Sequence, residues 1–194
     1  VTDLCQVADR AGEFDLIHCH VDYLAFPTSQ FAPTPAVHTL HGRLDPAEHV
    51  AVFRQFSDVP LISISEAQRE PLWHLGLNWL GTVYHGLPPD LHTFCDQPEN
   101  YLAFLGRISP EKRPDRAVEI ACRTGIKLRI AAKVDRADQE YYQAKIKPLL
   151  DQYPGQVEFI GEDSGKAKDE FLGRAKALLF PIDWPEPFGL VMIE

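Results

Sequence analysis

The sequence predicts an α/β fold built as two successive units, and three observations carry that expectation. Short β-like apolar runs alternate with longer stretches of helical period along all 194 residues. A Pro- and Asp-rich stretch without period, residues 87–100, interrupts the alternation near the middle. Charge also changes there: residues 1–97 hold four Arg, no Lys and twelve acidic residues, whereas residues 98–194 hold fifteen basic against sixteen acidic ones. The expected domains are therefore 1–93 and 94–194, the second being the better home for an anionic ligand.

In the first unit, strands are predicted over Phe14–Cys19, Ala36–Leu40, Leu61–Ile64 and Thr82–His85. A helical stretch from about Pro46 to Phe56 follows the second. Ser65 reads as the N-cap of a helix running towards Leu75, with Gly76 as its stop. In the second unit, strands are expected over Tyr101–Leu105, Lys127–Ala132, Val157–Ile160 and Ala177–Phe180. Gly106–Ser109 is read as a loop. Helices are expected over Pro114–Arg123, Asp138–Tyr153 and Asp169–Ala175, and a last one from near Phe188. Alternation of this kind favours parallel sheets covered on both faces by helices. The chain opens without an initial strand and glycine-rich turn and stops about two turns into its last helix, so both domains are expected to be incomplete.

Composition narrows the function classes. A formal net charge of −9 argues against a duplex nucleic-acid binder. Cys5, Cys19, Cys95 and Cys122 form no CxxC pair, which suits reduced thiols and a cytoplasmic location. No apolar run reaches the roughly 18–20 residues of a bilayer span, no signal peptide opens the chain, and no basic amphipathic helix indicates membrane-surface contact.

Two constellations carry chemistry. Arg107, Lys112, Arg113 and Arg116 follow a predicted strand and open a predicted helix, where backbone amides and fixed cations together attract anions. An ordinary solvated basic helix start fits the same residues. At the C-terminus, Glu186 precedes the expected helix and Glu194 lies eight residues on, about 80° past a whole number of turns. The two carboxylates would sit at different depths and suit a ligand with two sets of hydroxyls, though an acidic cap plus a surface Glu is equally compatible. His18, Cys19, His20 and Asp22, with His38 and His41, invite a metal reading. Alternation along a strand separates Cys19 from the two flanking histidines, so no metal site is expected. Ser63 and Ser65 lack the G-x-S-x-G setting of a hydrolase nucleophile.

Phe104–Arg113 (FLGRISPEKR) and Glu186–Glu194 (EPFGLVMIE, an E-x7-E segment) resemble the family-4 glycosyltransferases, retaining enzymes of the GT-B fold with two Rossmann-like domains. Weaker similarities are HTLHG at 38–42, SISEAQRE at 63–70 and VYHGLPPDLHTF at 83–94.

The resemblance implies transfer of a sugar, with retention, from a nucleotide-sugar donor to an unidentified acceptor (glycan, lipid or small molecule). It implies that Arg107 and Lys112 grip the donor diphosphate, that Glu186 lies against the donor sugar, and that Glu194 binds the nucleotide ribose. Phe188, Gly189 and Leu190 would offer backbone amides to sugar and phosphate, and His41 would stand near the reacting centre. No cofactor or metal is expected, because Arg and Lys supply the positive charge that a departing diphosphate needs. An epimerase or phosphorylase on the same paired units, or a non-catalytic nucleotide-binding fragment, is the alternative. A chain missing part of each domain is expected to show little turnover.

Overall fold

Parallel strands cannot be joined by tight turns, so successive strands within each sheet are connected here by helical crossovers. The computed structural model describes residues 2–162 and 165–194, and the chain divides into two units. One is Val1–Gly86 with Pro185–Gly189, and the other is Leu87–Trp184 with Leu190–Glu194. Residues 87–93 group with the second unit, where Asp169 accepts hydrogen bonds from the Thr93 N–H and pairs with the His92 ring. The α/β class with two Rossmann-like, GT-B-type units is the class observed: two four-stranded, fully parallel sheets.

The first unit runs α1 (Thr2–Asp9), β1 (Ile17–Cys19), α2 (Phe26–Phe31), β2 (Ala36–Thr39), α3 (His49–Gln55), β3 (Leu61–Ser63), α4 (Glu66–Arg69) and β4 (Trp79–Thr82). Its sheet order is β1-β2-β3-β4. Ser65 caps α4, its hydroxyl accepting from the Gln68 N–H, and Gly76 adopts the left-handed conformation (φ 62°) after the next 3₁₀ turn. Phe26, Leu40, Phe53, Leu61 and Leu72 fill the core, with Phe26 and Phe53 edge to face at 5.5 Å.

Several expected bounds shift. β1 begins at Ile17 because Phe14 and Leu16, on the sheet edge, stay exposed. β4 lies at Trp79–Thr82 instead of Thr82–His85, since the ladder starts where Trp79 faces Leu61. Helices α1 and α2 are additional to the sequence reading.

The second unit runs β5 (Tyr101–Arg107), α5 (Pro114–Thr124), β6 (Lys127–Lys133), α6 (Gln139–Tyr141), a π-helical Tyr142–Ile146, α7 (Lys147–Gln152), β7 (Val157–Gly161), α8 (Lys166–Gly173) and β8 (Ala177–Leu178). β5 thus absorbs Gly106 and Arg107, read as loop from sequence, because both pair with β6. The expected terminal helix is instead a 3₁₀ turn, Leu190–Met192, behind a left-handed Gly189 (φ 80°).

Sheet order is β7-β6-β5-β8, so the winding reverses beside β5. One face buries Leu102, Phe104, Leu128 and Ile130 against Ala117, Val118 and Ala121 of α5. The small alanines let that helix close on the sheet. The opposite face packs Tyr101, Ala103 and Ala131 on Phe171 of α8. Helices on both faces explain why Tyr101–Phe104 is an uninterrupted buried run. Among the described residues no helix is long and apolar enough to cross a membrane.

His38 is the exception in the first core. It is 1% exposed, edge-on to Phe26 at 4.9 Å, and neither ring nitrogen has a hydrogen-bond partner among the described residues. Burial, with a smaller contribution from His18, pushes its pKa down from 6.5 to about 4. The unfolded chain therefore takes up this proton first as pH falls. Stability is full above the unfolded value of 6.5 and declines towards pH 4 by an expected 2–3 kcal/mol, roughly. His38→Phe, which keeps a ring against Phe26, should flatten most of that slope in urea melts between pH 7 and 4. A slope as steep as that of the parent chain would refute this source of acid sensitivity.

Candidate functional site

Each parallel sheet delivers its site residues from loops at strand carboxyl ends. In the first unit the loop leaving β2 carries His41. Its backbone is held from both sides. Asp22 Oδ1 accepts from the His41 N–H at 3.0 Å and the Gly42 N–H at 3.4 Å. The Gln68 amide donates to the Leu40 carbonyl at 3.1 Å and the Gly42 carbonyl at 2.8 Å. Asp22 itself sits at φ 49°, a left-handed conformation that Asp tolerates better than most residues.

The His41 ring lies in a histidine stack. Its Nε2 is 2.8 Å from His20 Nδ1, and its plane is within 8° of the His85 ring at 5.4 Å. His85 in turn meets Phe188 edge-on at 5.1 Å. Burial lowers the His41 pKa, His20 and His85 lower it further, and Asp22 opposes them. His41 is thus a neutral imidazole at neutral pH. His18 bonds Thr39 Oγ1 at 2.8 Å, and its ring is 4.1 Å from that of His20, as same-side positions on a strand require. Among the described residues no group of three or more His, Cys, Asp or Glu could hold a metal ion.

Glu186, Phe188 and Gly189 belong to this unit although they lie a hundred residues away in sequence. Ser65 contributes to holding them there, its hydroxyl donating to the Pro187 carbonyl. Within the first unit, then, His41 and the Glu186–Gly189 segment share one histidine–aromatic and Ser65-tethered framework.

In the second unit the strand order reverses beside β5, and the loops that leave β5 and β8 meet, the Asp183 N–H donating to the Glu111 carbonyl at 2.9 Å. Arg107 ends β5 and the loop after it carries Lys112, while the loop after β8 carries Asp183 and Trp184. Arg107 Nη2 donates to Glu111 Oε1, and its Nε lies 3.3 Å from Asp138 Oδ2. Lys112 Nζ stands 5.1 Å from the Trp184 ring centroid and 5.9 Å from that of Phe180. Arg113, at φ 53°, makes a fork with Asp115 and reaches Asp183 at 2.8 Å, and Arg116 reaches the same Asp183 oxygen at 3.0 Å. The Arg113 guanidinium holds the Asp115 carboxyl below the usual carboxylate range, and burial with Asp115 raises the Tyr141 phenol.

Leu190 opens the 3₁₀ turn and is exposed. Glu194 is tied elsewhere: its Oε1 accepts from Lys168 Nζ of α8 at 2.7 Å, and its side chain is 13% exposed. Of the residues singled out in this unit, Arg107 ends β5 and Lys112 lies on the loop that follows, while Glu194 is anchored on α8. Gln68 and His85 in the first unit and Asp183 in the second also belong to these networks, and none was singled out from the sequence; His20, weighed there only as a metal ligand, instead meets the His41 ring. Only Gln68 had a local signal, at the third position after the Ser65 cap.

Comparison with known proteins agrees with this architecture. The model of the family described as glycosyl transferases group 1 matches residues 93–194. No curated protein sequence matches the chain. Among solved structures, AviGT4, a glycosyltransferase involved in avilamycin A biosynthesis, is similar over 98% of this chain and 54% of its own, at 23% identity and TM-score 0.68. A glycosyltransferase from Rickettsia africae is similar over 99% and 58%, at 14% identity and TM-score 0.67. The catalytic domain of starch synthase IV from Arabidopsis thaliana, bound to ADP and acarbose, is similar over 95% and 55%, at 12% identity and TM-score 0.62. The chain thus spans a little over half the length of these structures.

The Asp22 contact yields a test of the electrostatics. Asp22→Asn keeps an acceptor for the His41 N–H and tolerates the left-handed backbone, but removes the charge that raises the His41 pKa. The His41 titration followed by NMR should move further down. An unchanged or raised midpoint contradicts the assignment of Asp22 as its charge partner.

Proposed function

Because this chain belongs to the glycosyl transferases of group 1, we propose that it moves a sugar from a nucleotide-sugar donor to the hydroxyl of an acceptor, with retention at the anomeric carbon. The observation that carries this reading is the placement of Arg107 and Lys112 beside the strand-order reversal of the second unit. A crevice at such a reversal is where parallel α/β sheets receive nucleotides. ADP bound to the similarly folded starch synthase domain supports the same class of ligand.

The chemistry follows from charge. As the anomeric carbon–oxygen bond breaks, the nucleoside diphosphate leaves with the electron pair, and preorganised cations lower the cost of that charge. Arg107 suits this role because its present partners, Glu111 and Asp138, hold it only through partly exposed ion pairs. Such pairs contribute about 0–1 kcal/mol, so a doubly charged diphosphate can displace them. Lys112 is steered by the Trp184 and Phe180 rings and adds a mobile point charge. These cations make a metal unnecessary in the proposed step.

On the proposed path, the acceptor oxygen bonds to the anomeric carbon from the face the diphosphate vacates. Its proton passes to a diphosphate oxygen. His41, neutral at neutral pH, would hydrogen-bond the donor sugar beside that centre without adding repulsion. Glu186 would accept from sugar hydroxyls, Glu194 from ribose hydroxyls after release from Lys168. Backbone amides of Phe188, Gly189 and Leu190 would complete the sugar and phosphate contacts.

Calorimetric titration with ADP and UDP, then with their sugar conjugates, tests the phosphate assignment. Arg107→Ala and Lys112→Ala should each weaken binding by roughly tenfold or more, as expected for loss of a charge-assisted contact, and added salt should weaken it further. Affinities unchanged in both variants would sink the donor site. Binding without sugar transfer by the full-length protein would favour a nucleotide-binding role over an enzyme.

A further inference from the structure

The buried side-chain amide of Gln68 is the strongest polar feature that the proposed reaction does not use directly. It is 4% exposed, and three of its four hydrogen-bonding positions are filled. Nε2 donates to the carbonyls of Leu40 (3.1 Å) and Gly42 (2.8 Å), while Oε1 accepts from the Ile64 N–H at 2.9 Å. Only this orientation of the amide works, since turning it over would face an oxygen with two carbonyls.

The pattern departs from ordinary helix capping. Ser65 and Gln68 occupy the first and fourth positions of a capping box, where Gln or Glu serves equally by accepting from the cap residue's own N–H. Here the side-chain oxygen reaches one residue further, to Ile64, and the NH₂ turns outward to the loop after β2. Glu cannot make those two donations. Their targets are the carbonyls immediately before and after His41, and Asp22 takes the two N–H groups of the same stretch. Four hydrogen bonds from two side chains thereby fix the peptides around one histidine. Ser65 in the same turn accepts from the Gln68 N–H at 3.0 Å and donates to Pro187, next to Glu186.

We propose that Gln68 is the positioning residue of the transfer site: it locks the loop after β2 so that His41 is presented at the reacting centre, while the adjoining Ser65 holds the Glu186–Phe188 segment. This rests on the reading of His41 given above. Gln68 touches neither donor nor acceptor and acts only through the backbone of Leu40 and Gly42.

The experiment has two arms. In the donor-free protein, Gln68→Met keeps the volume and removes all three bonds. NMR should show loss of the His20–His41 hydrogen-bond signature and a His41 midpoint rising towards the ordinary value as the loop opens to water. In the full-length protein, kcat should fall by roughly tenfold to a hundredfold, as for a misplaced catalytic geometry, with donor affinity within about twofold. Added to His41→Ala, the same substitution should cost little more, since both act on one element. If Gln68→Met does not fold, Gln68→Glu, which keeps the acceptor for Ile64, serves in its place. An unmoved His41 midpoint, or a kcat loss that adds fully to that of His41→Ala, overturns the proposal. The NMR arm needs no turnover. A protein that transfers no sugar therefore fails the functional reading while the positioning result stands by itself.

Discussion

Parallel pairing is the constraint from which the rest follows. Two parallel strands can be joined only by a crossover that returns to the starting end, so loops leaving carboxyl ends all emerge along one edge of each sheet. In the first unit the order β1-β2-β3-β4 never reverses. Neighbouring loops stay adjacent, and His20, His41, Ser65 and His85, each just beyond a strand, are brought close enough for ring contact or a shared network. In the second unit the step to β8 runs back past β5. Loops on either side of that step are joined through Asp183, by its N–H to the Glu111 carbonyl and by its carboxylate to Arg113 and Arg116. One rule of connection produces a histidine cluster in one case and a pair of ion-paired loops in the other.

The two clusters balance charge by opposite means. In the first unit, burial with help from neighbouring histidines lowers the pKa of His38 and of His41. The second unit keeps its guanidinium groups charged and partners them with Glu111, Asp115, Asp138 and Asp183. A left-handed Arg113 at the start of α5 costs local strain, which the fork to Asp115 helps to offset. These carboxylates keep the cations oriented.

What could be read beforehand depended on where each residue lies. Central strands were legible: Tyr101–Phe104 and Ile130–Ala132 are apolar because helices cover both faces. Edge strands were not. Phe14 and Leu16 look like strand residues but stand exposed, and β4 pairs three residues earlier than its apolar run suggests. Helix α2 is six residues long, contains Pro27 and ends at an exposed Phe31, too short for its period to show. The Ser65 cap was legible because its partner lies three residues away, whereas Asp22, Asp183 and the outward half of Gln68 act across the fold. Arg107, Lys112, Glu186 and Glu194 drew notice through resemblance. The hold of Lys168 on Glu194 had no signature in the order of residues.

The first unit is not one stretch of chain, since Pro185–Gly189 complete it from the far end of the sequence. A cut after Gly86 therefore does not excise a module. It strips the Ser65 hydroxyl of its acceptor and the His85 ring of its aromatic neighbour. Recombination that exchanged one half of such a gene for a relative's would carry five residues of the wrong partner into the first unit. Swapped chimeras should tolerate crossovers best when this short segment travels with residues 1–86, which ties the inheritance of the two halves together.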